Sequence, residues 1–159
     1  MKGLTRQARA VLALCRAAGL KVATAESCTG GLVTATLTRI AGSSDVVERG
    51  FVTYSNEAKN EMLDVPAALI ARHGAVSAEV ARAMAEGAIA RSRADIAVSI
   101  TGVAGPGGGT ARKPVGLVHL AAVRRGGQRL AEHEVFPGTR EQIRRAAVAR
   151  AMQLIARLI

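Results

Sequence analysis

Apolar residues recur at mostly helical spacing from Leu4 to Ala18, at Leu4, Val11, Leu12, Leu14, Cys15 and Ala18, and Gly19 follows where a left-handed residue ends a helix. The pattern then changes. Lys21 to Ala25 is a short β-compatible run that leads into Glu26-Ser27-Cys28-Thr29-Gly30-Gly31 and an apolar segment, Leu32 to Ile40, long enough for a helix. A second strand is predicted over Val46 to Tyr54, and Ser55-Asn56 supplies the N-cap of a helix reaching about Leu63. Further helices are expected over Pro66 to Arg72 and Ser77 to Arg93, with Ser77 as N-cap and Glu79 against the positive end of the second.

Asp95 to Ile100 is a continuous apolar run of the kind buried inside a sheet. It ends in Thr101-Gly102-Val103-Ala104-Gly105-Pro106-Gly107-Gly108-Gly109-Thr110, where five glycines in ten residues predict an irregular loop with free backbone N–H groups. Val115 to Val123 and Arg129 to Phe136 flank Arg124-Arg125-Gly126-Gly127-Gln128 and predict an antiparallel hairpin. From Thr139 a last helix opens with a Thr139-x-x-Gln142 capping box and carries a stripe of Ile143, Ala147, Ala151, Leu154 and Leu158. Helices between strands, plus one hairpin, predict an α/β fold: a three-layer α/β/α sandwich with a mixed central sheet, in a single domain over residues 1–159.

The 159 residues are 49% hydrophobic and carry 22 Lys+Arg against 12 Asp+Glu, a formal charge of +10. Four of the 22 are Lys, so 18 are Arg, and they are scattered along the chain. With two Phe and one Tyr for base stacking, nucleic acid is not the expected partner; the charge suits steering of a small phosphorylated substrate or reflects genomic base composition. No apolar run approaches the ~20 residues of a membrane span, so no membrane anchor or secretory signal is expected. Cys15 and Cys28 form no CxxC pair, which points to a reducing cytoplasm. His73, His119 and His133 lie in separate segments without metal-ligand spacing, and neither a metal site nor a cofactor is expected.

In a sandwich of this kind ligands gather where loops leave the C-terminal ends of strands, which here are the segments after Ala25, Tyr54 and Ile100. Ser27 stands where a strand turns into a helix, so its hydroxyl can project beside backbone N–H groups suited to an oxyanion, although serine there can equally be an N-cap. A nucleophilic serine needs a base. Lys59, at the positive end of the helix after Tyr54, is the candidate, and Tyr54 could relay the proton or orient the amine. Cys28 is a rival nucleophile, because Glu26, Lys59 and Cys28 supply the residue types of a Glu-Lys-Cys amidase site. The glycine loop can offer a nest of donors to a phosphate or carboxylate, and it matches neither GxxxxGK[ST] nor GxGxxG. Arg140 and Arg144, one helical turn apart, could clamp a charged group or simply face solvent.

Four segments in order, Thr24 to Gly31, Val52 to Lys59, Thr101 to Gly109 and Lys113-Pro114-Val115-Gly116, closely resemble the CinA C-terminal domain family. Its members include nicotinamide-nucleotide amidases. The resemblance implies hydrolysis of nicotinamide mononucleotide to nicotinate mononucleotide and ammonia in pyridine-nucleotide salvage, by a homodimer. It places the family's serine, tyrosine and lysine on Ser27, Tyr54 and Lys59. The expected substrate-binding residues are Thr29, Gly30, Thr101, Gly102, Gly105, Gly107, Gly108 and Arg140, with Arg140 on the phosphate. Thr139 departs from the acidic residue that many relatives carry before that arginine. Longer relatives carry an additional domain associated with nucleotide pyrophosphatase activity, which is not expected of this chain. The alternative is a non-catalytic nucleotide-binding or competence-associated, DNA-related module.

Overall fold

The computed structural model describes residues 2–159. Its elements run α1 (Lys2–Ala18), β1 (Val22–Glu26), α2 (Leu32–Thr38), a 3-10 turn (Ser43–Asp45), β2 (Val47–Val52), α3 (Asn56–Leu63), α4 (Ala67–His73), α5 (Ala78–Ala90), β3 (Ile96–Gly102), β4 (Leu117–Arg124), β5 (Arg129–Val135) and α6 (Arg140–Arg157). The strands form one sheet in the order β2-β1-β3-β4-β5. β1 pairs in parallel with both β2 and β3, and β3-β4 and β4-β5 are antiparallel, so the sheet is mixed and the chain is a single α/β domain.

Side chains alternate across each strand, and the alternation divides the core into two layers. Val22, Ile96, Val98, Ile100, Val118 and Leu120 face one side, where they pack with α1, α2 and α6 through Leu12, Leu37, Ile143, Met152 and Ile155. Ala23, Ala25, Ala97 and Ala121 face the other side and meet α3, α4 and α5 through Leu63, Ile70, Ala81, Met84 and Ala88. Small residues on this second face let α5 lie close to the sheet, and α5 in turn receives α3. A Cβ on Gly87 of α5 would collide with the Leu63 carbonyl at the end of α3. Glycine is required there for the helix that carries Lys59 to reach its seat.

The predicted caps form. Ser55 Oγ accepts from the Ala58 N–H, Ser77 Oγ from the Val80 N–H, and Thr139 and Gln142 close a reciprocal capping box on α6. Gly19 takes the left-handed conformation expected after α1. The ladder overrides one sequence expectation, because β3 does not stop at Ile100. Thr101 and Gly102 continue it and pair with His119 and Val118 of β4, so the irregular loop begins only at Val103.

Because β2 lies on one side of β1 and β3 on the other, the connections leaving the C-terminal ends of β1 and β3 diverge and leave a crevice between them, the usual ligand position in such sheets. No helix among the described residues is long and apolar enough to cross a membrane.

Candidate active site

At that crevice lies a cleft of about 300 Å³, within the size range of small-ligand pockets. Ser27, Lys59, Tyr54, Thr101, Arg140 and the glycine loop line it, so the three strand-end segments meet in one place.

Ser27 is the first residue beyond β1. Its N–H continues the sheet by donating to the Ile100 carbonyl at 2.9 Å, and its carbonyl accepts from the Gly30 N–H at 3.0 Å. Strand alternation sends Glu26 towards α2 and Ser27 towards α3. There Lys59 Nζ lies 3.1 Å from Ser27 Oγ, and Lys59 is only 1% exposed. The same nitrogen reaches the carbonyls of Thr53 at 2.9 Å, Tyr54 at 3.3 Å and Ser55 at 3.4 Å, the acceptors of the segment between β2 and α3. Burial disfavours the ammonium and lowers the Lys59 pKa, against a smaller opposing contribution from Cys28. A neutral amine in this cage can donate to carbonyls while its lone pair takes the serine proton.

Glu26 does not serve Lys59. Its fully buried carboxylate accepts from the Thr29 hydroxyl at 2.7 Å, the Val33 N–H at 2.9 Å, and the Thr34 N–H and hydroxyl at 3.0 and 2.8 Å. It caps α2 and fastens the turn beneath Ser27. Cys28, on the opposite side of the turn, touches the cleft wall but belongs to the apolar cluster, and burial pushes its thiol pKa up to about 11. A thiol held so far from ionisation is a poor nucleophile at neutral pH. The arrangement therefore offers a serine with a base, and not the Glu-Lys-Cys set.

Tyr54 is 62% exposed, and its hydroxyl accepts from Arg140 Nη2 at 3.2 Å. It meets Lys59 through its backbone carbonyl, and among the described residues no direct hydrogen bond joins its phenol to the amine. Arg140 also donates through Nη1 to the Gly105 carbonyl at 2.7 Å and so joins the glycine loop to the tyrosine across the mouth of the cleft. A guanidinium has five N–H donors, and these two bonds leave others for an anionic oxygen.

Gly102, Gly105, Gly107 and Gly108 all border the cleft, whereas Thr29 and Gly30 do not. The fully buried Thr29 has its hydroxyl committed to Glu26, and Gly30 lies against α6. Thr101 borders the cleft from within β3, its hydroxyl donating to the Ala75 carbonyl at 2.9 Å. Arg144, the other candidate clamp, donates to the Cys28 and Thr29 carbonyls. Asn56, Ala75 and Val76 also line the cleft and were not anticipated. Asn56 reads in sequence as the first residue of a capped helix, and Ala75 and Val76 carry no polar side chain to signal a site. No group of three or more His, Cys, Asp or Glu side chains among the described residues is placed to hold a metal ion.

The model of the CinA C-terminal domain matches residues 4–159. A CinA-like protein of Citrifermentans bemidjiense is 53% identical over 146 residues, which are 92% of this chain and 35% of that protein. The chain thus spans about a third of the length of such relatives. The nicotinamide-nucleotide amidohydrolase PncC of Escherichia coli K12 is 52% identical over 140 residues, 88% of this chain and 85% of that protein. Among solved structures, the competence/damage inducible protein CihA from Agrobacterium tumefaciens superposes with a TM-score of 0.96 at 50% identity, covering 98% of this chain and 94% of that one.

Proposed function

The chain belongs to the CinA C-terminal domain family, and from that premise we propose that it is a nicotinamide-nucleotide amidohydrolase, converting nicotinamide mononucleotide to nicotinate mononucleotide and ammonia. The observation that carries the proposal is the 3.1 Å approach of Ser27 Oγ to Lys59 Nζ in a buried, carbonyl-lined pocket. The similarity to the E. coli amidohydrolase over 85% of its length supports the substrate.

In the proposed mechanism neutral Lys59 takes the Ser27 proton as Oγ attacks the carboxamide carbon. The resulting oxyanion is stabilised by backbone N–H groups beside the nucleophile, that of Cys28 among them. Lys59 then protonates the departing nitrogen, the C–N bond breaks, and ammonia leaves an acyl ester on Ser27. Water, deprotonated by Lys59, hydrolyses the ester and regenerates the hydroxyl.

Arg140 binds the phosphate in this scheme, with Tyr54 orienting its guanidinium. Thr101, Gly102, Gly105, Gly107 and Gly108 form the wall against which the substrate lies. The loop N–H groups of Ala104, Gly107 and Gly108, which donate to no backbone acceptor among the described residues, suit an anionic ligand. The proposal extends to a single catalytic domain acting as a homodimer in cytoplasmic pyridine-nucleotide salvage, consistent with two free, buried cysteines.

The test is ammonia release from nicotinamide mononucleotide by the purified protein, with a chelator present. Turnover by the wild type and its loss in Ser27→Ala is the expected result. Full activity in Ser27→Ala would remove the serine from the mechanism, and an inactive, folded wild type would favour a nucleotide-binding module instead.

A further inference from the structure

The Ser27 turn is held from two sides, and only one of them lies close in sequence. Glu26, from within the turn, fixes Thr29 and the start of α2. From α6 comes Arg144, whose Nε donates to the Cys28 carbonyl at 3.1 Å and whose Nη2 donates to the Thr29 carbonyl at 2.9 Å. A planar guanidinium bonded to two successive carbonyls fixes two peptide planes at once, which an ammonium cannot do with the same rigidity. Those are the Cys28–Thr29 and Thr29–Gly30 peptides, which begin one residue beyond Ser27, whose own carbonyl is held by the Gly30 N–H. Their rotation would displace Ser27 Oγ from Lys59 and redirect the N–H groups beside it.

Two further features bear on this arginine. Arg145 and Arg150 on the same helix pair with carboxylates, Arg145 with Glu141 at 3.7 Å and Arg150 with Glu132 at 3.1 Å and with Glu134, whereas half-buried Arg144 has no carboxylate partner among the described residues. Its positive charge stands beside a turn that also holds the buried Glu26 carboxylate, and it bears on the Cys28 thiol, opposing the upward push of burial while Glu26 adds to it. The turn beside it depends on Gly30, whose φ of +56° is left-handed, and even a Cβ there would only touch Arg144 Nη2 at an ordinary contact distance of 3.5 Å.

We propose that Arg144 is a positioning residue for the nucleophile, holding the turn after Ser27 in the geometry that places Oγ against Lys59. This rests on the amidase reading of the site. Arg144 acts through the turn and does not touch substrate, which separates it from Arg140.

The experiment uses a fluorophosphonate reagent as well as nicotinamide mononucleotide, so that Ser27 reactivity is read without assuming the substrate. In the labelling step Ser27 Oγ bonds to phosphorus, the P–F bond breaks, fluoride leaves, and Lys59 takes the serine proton. Wild type, Arg144→Ala, Arg144→Lys and Ser27→Ala are compared for labelling rate, kcat, KM and Tm. In Arg144→Ala, labelling and kcat are expected to fall together by about 10- to 100-fold, with KM within about threefold. Arg144→Lys should lose less, and added guanidinium ion should restore part of the Arg144→Ala rate. If Arg144→Ala does not fold, reduced labelling in folded Arg144→Lys gives the same support.

Labelling of a folded Arg144 variant at the wild-type rate would overturn the proposal, and so would a loss confined to KM. Failure of the wild type to label at Ser27 would overturn the serine mechanism and this inference together. Labelling without ammonia release would refute only the substrate, leaving the Arg144 comparison decisive.

Discussion

Between Glu26 and Thr34 many polar groups beneath the nucleophile are committed: four donors on one carboxylate, a guanidinium on two carbonyls, and a serine N–H tied into the sheet. Across the cleft, the loop from Ala104 to Gly109 keeps backbone N–H groups without backbone acceptors, and Gly107 and Gly108 are exposed. The two segments border the same ligand space under different demands. In the proposed mechanism attack by Oγ tolerates displacement of only a fraction of an ångström, a demand that a turn held from inside would meet. A phosphate can be met by several donors in several poses, and N–H groups that exchange water for anion oxygen lose little when empty.

The sharpest break of this contrast is at the base. Lys59→Met should lower kcat by about 10²- to 10⁴-fold, the range for a lost general base, as measured by ammonia release. The same residue sets a sign for pH. The base must be neutral, so kcat/KM rises with pH through the Lys59 pKa and then levels off. Since burial lowers that pKa, the plateau should be reached below the ordinary lysine range. A profile that climbs only near the unperturbed lysine value would count against a buried neutral amine.

On the adaptable side, Arg140→Ala removes the link between Tyr54 and the glycine loop. It should raise KM by about 10- to 100-fold and leave kcat within a few-fold, a split visible in steady-state kinetics. Beneath the nucleophile, Thr29→Val removes one donor from a buried carboxylate and should cost about 1–3 kcal/mol of stability in denaturant unfolding, with no specific effect on KM. The smallest effect is expected at Cys28→Ala, whose activity should stay within about twofold of wild type. A large loss there would return the thiol to the chemistry.

The fold was legible because its signals are local. Helical spacing in α1 and α6, the Ser55, Ser77 and Thr139 caps, and the apolar run of β3 each specify an element without its neighbours. Ser27 and Lys59 were legible as a serine at a strand end and a lysine at a helix start. The partition of roles around them was not. Arg140 and Arg144 are four residues apart, so periodicity puts them on one helix face and does not say that one reaches Gly105 and the other Cys28. The inward commitment of Thr29 depends on Glu26 facing α2. The extension of β3 through Gly102 depends on β4, which local glycine content cannot anticipate.

The clamp from α6 also has a consequence in time. Cys28 and Arg144 are separated by 116 residues. At roughly 5–20 residues per second of synthesis, the nucleophile's turn emerges from the ribosome about 6–23 s before the guanidinium that holds it. For that interval the serine exists on a nascent chain without its last restraint. If Arg144 positions Ser27 as proposed, the hydroxyl becomes fully ordered only when the closing helix docks, and the proposed hydrolytic competence is a late event in the life of each newly made molecule.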